Sequence, residues 1–363
     1  MLERSVSVAR SLAPVAAAGE PGRVNLPLLK ALAAAGLLAE IFRRSGSGYE
    51  PTSAMALCEI REGLARHCTE AETAFALQGL GAYPILLAGS QPVVEEWLPR
   101  IAAGEIAVGF ALTEPGAGSD AASLALSAVP SGDGFRLTGE KAFISNAPDA
   151  SVYSVFARTS DAGSRGITAF AVPGSSGGLS GTRQTMVSPH PIGRLVFDDV
   201  YVPASFVLGS VDDGWRVAMR TLDMFRPSVG AFALGMGQAA LDAAVAHTAS
   251  RQAFGRSLRD FQAVSHQLAD VATRLHAARL LVHDAASAYD SGQGRTGHLS
   301  AMAKLFATET AQVAVDVAIQ VHGARALEQG HLLEHLYREV RAPRIYEGAS
   351  EIQREIIARH LYR

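Results

Sequence analysis

Apolar residues recur at alternating steps of three and four along Phe261, Val264, Leu268, Val271, Leu275, Ala278, Val282 and Ala285. That rhythm draws one continuous stripe down a long helix, and such a stripe packs against nearly parallel or antiparallel neighbours, as in a bundle. A second long helix, rich in alanine, is expected from about Leu299 to His322, and a last one from Ser350 to the C-terminus. Residues 290–297 (Asp-Ser-Gly-Gln-Gly-Arg-Thr-Gly) read as the turn between the first two. The N-terminal part is helical as well. Leu26 to Leu32 leads into alanines that stop at Gly36, a polar break follows over Arg43-Arg44-Ser45-Gly46-Ser47-Gly48, helix formers return from Thr52 to His67, and Pro84 and Pro92 punctuate the remainder.

The middle of the chain changes character, with more glycine, serine and β-branched residues. Phe135-Arg136-Leu137-Thr138 alternates after the hairpin-type turn Ser131-Gly132-Asp133-Gly134, and Ile167 to Val172 and Leu195 to Val202 read as short strands, the latter ended by Pro203. Several short strands between turn signals predict a small all-β unit, a barrel or sandwich. The expected class is therefore α+β with segregated parts: an N-terminal helical domain over 1–104, a β-domain over 105–208 and a C-terminal helical bundle over 209–363. No solenoid repeat interrupts this layout.

Composition narrows the classes without naming a reaction. Hydrophobic residues make up 48% and charged residues 18%, which describes an ordinary folded protein. The net charge of −3 gives no reason to expect nucleic acid or an anionic membrane surface as partner. Cys58 and Cys68 form no disulfide framework, which predicts a reducing compartment. Near the N-terminus Glu3, Ser5, Ser7 and Ser11 break up any signal-peptide-like apolar core, and no run reads as a membrane span. The expected location is the cytoplasm.

The first candidate for chemistry is the loop Gly109-Phe110-Ala111-Leu112-Thr113-Glu114-Pro115-Gly116-Ala117-Gly118-Ser119-Asp120. A strand-like run ends in a Pro-Gly-x-Gly turn. Its glycines allow close backbone approach, and its N–H groups and hydroxyls offer donors to a polar ring edge or a phosphate. Four more stretches follow: Lys141-Ala142-Phe143-Ile144-Ser145-Asn146; Arg251-Gln252-Ala253-Phe254-Gly255-Arg256 with Phe261-Gln262; Gln320-Val321-His322-Gly323; and Ile345-Tyr346-Glu347-Gly348-Ala349-Ser350-Glu351-Ile352-Gln353-Arg354. In this order, from about Leu28 to the end, they closely resemble the motifs of the acyl-CoA dehydrogenase family.

The resemblance implies an N-terminal helical domain, a middle β-domain, a C-terminal four-helix bundle and FAD as cofactor. It implies removal of an α-proton from an acyl-CoA by Glu347, with the flavin accepting the β-hydride and the 2,3-enoyl-CoA as product. The thioester oxygen is then expected to be polarised by the Glu347 N–H and a ribityl hydroxyl. Burial between flavin and acyl chain should raise the carboxyl's pKa. Phe110, Leu112 and Thr113 match positions at the flavin edge, and Gly118 belongs to the same loop. Ser119 matches one near the pyrophosphate and the CoA arm, Phe143 the aromatic cover, and Ser145 a hydroxyl near the reactive nitrogen. Arg251, Phe254 and Gln262 match contacts to a partner subunit's FAD, with Arg251 on its pyrophosphate. Gln320 and Gly323 match contacts to the adenosine half. Asp223, Arg226 and Gly348 fall where acyl-CoA is held, and Arg359 is a candidate for reaching CoA. The same likeness implies a homo-oligomer, a dimer or tetramer, that serves fatty acid metabolism and hands electrons to an electron-transferring flavoprotein.

Some positions depart from the family pattern. Ala349 lacks the hydroxyl expected to face FAD, and Glu351 adds negative charge near the diphosphate. Phe143, Ser145, Ala324 and the stretch Ser188-Pro189-His190-Pro191 also differ. An acyl-CoA oxidase and a dehydrogenase of acyl-carrier-protein thioesters are alternatives, and Ala349 and Glu351 leave room for a flavin-less binding subunit; retention of Glu347 speaks against a flavin monooxygenase. Three short motifs read as decoys. His331-Leu332-Leu333-Glu334-His335 fits a zinc pattern without a third ligand, so no metal is expected. Gly235-Met236-Gly237-Gln238-Ala239-Ala240 lies inside helical sequence and reads as helix packing. Gly174-Ser175-Ser176-Gly177-Gly178 reads as a loop between strands.

Overall fold

The computed structural model describes residues 1–46, 48–292 and 296–362. Six helices open the chain: α1 (Leu2–Ala17), α2 (Leu26–Ala34), α3 (Leu37–Ile41), α4 (Ala54–Ala65), α5 (Thr69–Ala88) and α6 (Gln91–Ala102), with a hairpin of β1 (Phe42–Ser45) and β2 (Gly48–Pro51) after α3. The polar break expected near 43–48 is thus a two-stranded hairpin at every position but Ser47 and the turn residue Gly46; Ser47 lies outside the described residues. Strands follow: β3 (Val108–Ala111), β4 (Ser127–Ser131), β5 (Gly134–Ser145), β6 (Val152–Arg158), β7 (Ile167–Pro173), β8 (Leu179–Arg183), β9 (Ile192–Pro203) and β10 (Val207–Leu208). The chain then returns to helix with α7 (Gly214–Ser250), a short hairpin of β11 (Gln252–Ala253) and β12 (Arg256–Ser257), α8 (Gln262–Asp290), α9 (Gly297–His322), α10 (Leu332–Val340) and α11 (Ser350–Leu361). Of the predicted 290–297 turn, Gln293, Gly294 and Arg295 lie outside the described residues.

By their contacts the residues form two compact units. The first comprises Met1–Ser11, Ser53–Glu72 and Asp223–Arg363, the second Leu12–Thr52 and Thr73–Leu222.

In the first unit, most of the stripe read from the sequence becomes the buried face of α8, where Leu268, Val271, Leu275, Ala278, Val282 and Ala285 are buried, while Phe261 precedes the helix and, like Val264, is half-buried. Each fully buried Leu or Val of this kind stabilises the fold by about 1.5–3 kcal/mol relative to exposure. The stripe packs on α9, whose small residues Ala301, Ala303, Ala307, Ala311 and Ala314 let the two helices approach. Helix α7 also approaches closely. A Cβ on Gly235 would stand 2.4 Å from the Glu62 carbonyl oxygen and 2.6 Å from Ala65 Cβ on α4, and one on Gly237 would stand 2.7 Å from Leu275 Cδ2. The Gly-x-Gly-x-x-Ala run is therefore helix packing.

In the second unit, apart from the β1–β2 hairpin, strands β3 to β10 form one sheet with path β10-β7-β6-β4-β5-β9-β8 and β3 beside β6. Pairing is antiparallel except where β3 and β4 run parallel to β6. The spine is β5 on β9, from Gly134 opposite Pro203 to Ser145 opposite Ile192, with irregularities between Leu137 and Gly139 and between Lys141 and Ile144. Such bulges bend a strand and re-aim its side chains, and the second falls within the Lys141–Asn146 motif.

Helix α7 corrects the expectation that no run could span a membrane: by length and composition it is long and apolar enough, yet 67% of its apolar window is buried inside the protein. Core helices pass the same test. Filling the α7–α4 contact with Gly235→Val should cost about 1–3 kcal/mol through overpacking, read as a lower midpoint in thermal or denaturant unfolding with the circular dichroism spectrum unchanged.

Candidate active site

Glu347 lies on the short connection into α11 and adopts φ +52°, followed by Gly348 at φ +93°. Glycine tolerates this left-handed backbone, but a glutamate there is strained by on the order of 1–3 kcal/mol unless its surroundings hold it. They do. Lys304 on α9 donates from Nζ to the Tyr346 carbonyl at 2.7 Å and to that of Gly348. Gln353 on α11 donates from Nε2 to the Glu347 carbonyl at 3.3 Å and the Gly348 carbonyl at 2.7 Å. Arg226 on α7 donates from Nε to the Glu347 carbonyl at 3.2 Å and pairs with Asp223 at 3.0 Å. Lys304, Gln353 and Arg226 are themselves buried. Just beyond the turn, Ser350 donates to Glu309, which pairs with Arg344 at 2.8 Å.

The carboxylate is treated differently from its backbone. Glu347 is half-buried, and its Oε2 is buried with no hydrogen-bond partner among the described residues. Burial pushes the carboxyl above its ordinary value, against the pull of Arg61, Lys304 and Arg226. Arg61, on α4, is held by Glu72, by Ser228 Oγ at 2.7 Å and over the Phe232 ring at 5.8 Å. Burial likewise pulls Lys304 down to about 8, although Glu347 works to raise it. An acceptor left unpaired in a dry site is costly. A carboxylate in that state is an ionisable base awaiting a proton.

The second unit builds a different feature from the signature loop. Glu114 and Ala117 exchange backbone hydrogen bonds at 3.2 and 3.1 Å, closing the turn over Pro115 and Gly116. The Glu114 carboxylate turns inward and accepts from Lys141 Nζ at 2.8 Å, Ala125 N at 2.6 Å and Leu126 N at 2.9 Å. Lys141 also donates to the Leu112 carbonyl at 2.9 Å. Burial lowers Lys141 to about 8, with Glu114 opposing the shift. This pair latches the loop to β5 and leaves Thr113 half-buried and Gly118 and Ser119 exposed; a Cβ on Gly118 would meet nothing within 4 Å. Phe110 and Leu112 are buried. Phe143 takes φ +56°, donates its N–H to Gln184 Oε1 at 2.9 Å, and leaves its ring 54% exposed; Ser145 is half-buried nearby in sequence. A depression of about 320 Å³ beside the loop is lined by Glu114 to Ala117, Ser123 and Gly139 among others. It includes none of the expected flavin positions, so it is not the ring site.

The remaining candidates lie in the first unit. Arg251, Phe254 and Gln262 are exposed on and around the β11–β12 hairpin, Phe254 at 96% and φ +50°. Arg256 stacks over Phe261 at 3.9 Å. The His247 and His322 rings stack at 4.1 Å, which brings the end of α7, and so Arg251, to the end of α9, where Gln320 and Gly323 are exposed. Asp223, Arg226 and Gly348 gather at the Glu347 turn. Arg359 does not join them: it is exposed in the last turn of α11 and pairs with Glu355 at 2.7 Å. Ala349 provides no side-chain cap for α11, and Glu351 is exposed with Arg354 at 3.7 Å. In the zinc-like motif His331 caps α10 and His335 bonds Thr69 at 2.7 Å. Among the described residues no group of three His, Cys, Asp or Glu could hold a metal ion.

Sequence reasoning missed Arg61, Glu72, Lys304 and Gln353 as parts of the Glu347 setting, and Glu114 and Lys141 as the latch. One signal was present: a charged residue inside an apolar helical run, such as Lys304 among Ala301, Met302, Ala303 and Leu305.

Models of the acyl-CoA dehydrogenase N-terminal, middle and C-terminal domains match residues 5–105, 109–200 and 212–362. Cyclohexane-1-carbonyl-CoA dehydrogenase of Geobacter metallireducens is 36% identical over 359 residues, 96% of this chain and 93% of the relative. The CarC subunit of the caffeyl-CoA reductase–Etf complex of Acetobacterium woodii is 38% identical over 287 residues, 77% of this chain and 74% of the relative. The solved structure of PigA with FAD and proline superposes with a TM-score of 0.92 at 27% identity, covering 99% of this chain and 97% of that one. The chain belongs to the acyl-CoA dehydrogenase family. It is an oxidoreductase of acyl-CoA thioesters, built from N-terminal helices, a middle β-sheet domain and a C-terminal helical domain.

Removing the latch by Glu114→Ala should cost about 3–5 kcal/mol, because it strands a buried Lys141 charge. With Glu114 in place the folded-state lysine titrates at about 8, and without it lower still. Between the variant's lower value and about 8 only the variant's folded state has lost this proton, so the deficit should shrink as pH rises toward about 8 and stay level above it. Denaturant unfolding at pH 7 and pH 10 checks both sign and size.

Proposed function

We propose that this enzyme removes the α-proton of a saturated acyl-CoA through Glu347 and yields the 2,3-enoyl-CoA. The observation that carries the reading is the Glu347 carboxylate itself: on a half-buried residue, with Oε2 buried and without a hydrogen-bond partner among the described residues, and raised above its ordinary pKa by burial. An acid with that history is a stronger base near neutral pH than an exposed glutamate. Asp223, Arg226 and Gly348 would border the thioester end of the substrate, with the Glu347 N–H as a donor to its carbonyl oxygen.

FAD is the cofactor, and when bound it supplies the two-electron acceptor for the β-hydride. The residues suit it. An exposed Phe143 ring on a fixed backbone and the open approach at Gly118 fit a large planar group with a diphosphate arm. Phe110, Leu112, Thr113 and Ser145 would complete the ring edge, and Ser119 would lie toward the pyrophosphate. Gln320 and Gly323 would border the adenosine half, Ala349 would face FAD, and Glu351 would lie toward the diphosphate. The nearly fully exposed Phe254, with Arg251 and Gln262, supports a homo-oligomer in which this hairpin covers the FAD of another copy. The kinship with a subunit of a reductase–Etf complex supports an electron-transferring flavoprotein as acceptor.

Glu347→Gln should retain FAD and bind acyl-CoA but bleach its flavin about 10²–10⁴-fold more slowly under anaerobic mixing. Bleaching near the unaltered rate would assign the proton to another base. In the unaltered enzyme the bleaching rate should rise with pH as Glu347 ionises, with its midpoint above the ordinary glutamate value of 4.5. A midpoint at or below that value would count against a buried base.

A further inference from the structure

We propose that Lys304 and Gln353 are positioning residues for the base, holding the left-handed turn that aims Glu347. The inference rests on Glu347 as the base and goes beyond it, since neither side chain has a place in the chemistry itself. All three carbonyl oxygens of the turn, on Tyr346, Glu347 and Gly348, are taken by buried side chains. Lys304 spans the outer two, Gln353 takes the last two, and Arg226 adds a bond to the middle one. These donors come from α9, α11 and α7, so the conformation at Glu347 is set by packing between helices rather than by the turn's own residues. The space is filled as well: a Cβ on Gly348 would stand 2.6 Å from Gln353 Nε2, so residue 348 must remain glycine for both φ and fit.

The two clamps differ in charge, and this separates positioning from ordinary structural support. The charges facing the Glu347 carboxylate are Arg61 on α4, Arg226 on α7 and Lys304 on α9. Those facing Lys304 are Glu347, Arg226 and Glu309. Protonated Lys304 both fixes the backbone and favours the ionised carboxylate that can accept a proton. Gln353 fixes the backbone only. A loosened turn would misplace the carboxylate relative to the substrate's α-carbon, and misplacement on the order of 1 Å can cost about 10²-fold in rate.

The test compares Lys304→Met with Gln353→Met in the FAD-loaded enzyme, using butyryl-CoA and longer acyl-CoAs as probes. Both variants should slow anaerobic bleaching by about 10- to 100-fold and speed amide hydrogen exchange at residues 346–348. Only Lys304→Met should move the acid midpoint of the rate to higher pH, because only it removes a positive charge from beside Glu347. Bleaching at the unaltered rate in folded Lys304→Met overturns the proposal, as does slowing with no change in exchange at the turn. An equal midpoint shift in both variants overturns it too, since that would signal general loosening. Should Lys304→Met fail to fold, Lys304→Gln, whose side chain lacks the charge and ends one bond short of the lysine nitrogen, takes its place under the same criteria. Glu347→Gln keeps the two readings apart: if that variant bleaches normally the base assignment fails, whereas if it is inactive and Lys304→Met is normal only the clamp fails.

Discussion

A carboxylate with one buried, unpaired oxygen that can still ionise is the constraint on which the candidate site depends. Water would supply its hydrogen bonds and return it to an ordinary glutamate. A direct ion pair would occupy the oxygen that must take the proton. The protein places its compensating hydrogen bonds on the backbone of the turn instead of on the carboxylate. Lys304, Gln353 and Arg226 bond to the backbone carbonyls of the turn. Arg61 gives most of its hydrogen bonding to Glu72 and Ser228. Positive charge therefore reaches the Glu347 carboxylate through space while Oε2 remains unbonded.

The signature loop of the second unit uses buried charge for a different end. There the ion pair is direct, Lys141 with Glu114, and the same two side chains also collect the Leu112 carbonyl and the Ala125 and Leu126 amides. A buried pair of this kind adds little net stability over an apolar packing, but removing one partner is severe. Its effect is geometric. It fixes a Gly-rich loop whose backbone would otherwise have many conformations, and it does so from the interior. The loop's outer surface stays open at Gly118 and Ser119. Both lysines, 141 and 304, are depressed to about 8 by burial, and each is held by carbonyl oxygens from a loop that carries a family motif.

Much of the architecture was legible because periodicity is a local property. The α8 stripe, the strand over Phe135 to Thr138 and the last helix from Ser350 follow from spacing and turn residues alone. The glycines of α7 read correctly as packing because no strand precedes them, and the contacts at Glu62, Ala65 and Leu275 bear this out. The β1–β2 hairpin was hidden, since Arg43-Arg44-Ser45 carries no alternation, and its exposed strands have little core to announce them. Helix α7 escaped as a long apolar element because Asp223, Arg226 and Pro227 interrupt it.

Motif residues such as Glu347, Phe143 and Arg226 were determined by the sequence itself, because a short run of residue types at set spacing survives without coordinates. So were the family and its cofactor. The partners of those residues were not. Arg61 and Lys304 are 243 residues apart by their numbering, and each reads locally as an isolated charge in a helix. Only tertiary structure decided that both act on Glu347, that Gln353 holds the turn behind it, and that Arg359 spends its charge on Glu355 instead. The physical reason is range: backbone preference and apolar period act over a few residues, whereas desolvation and Coulomb interaction depend on which distant helices share the same dry interior.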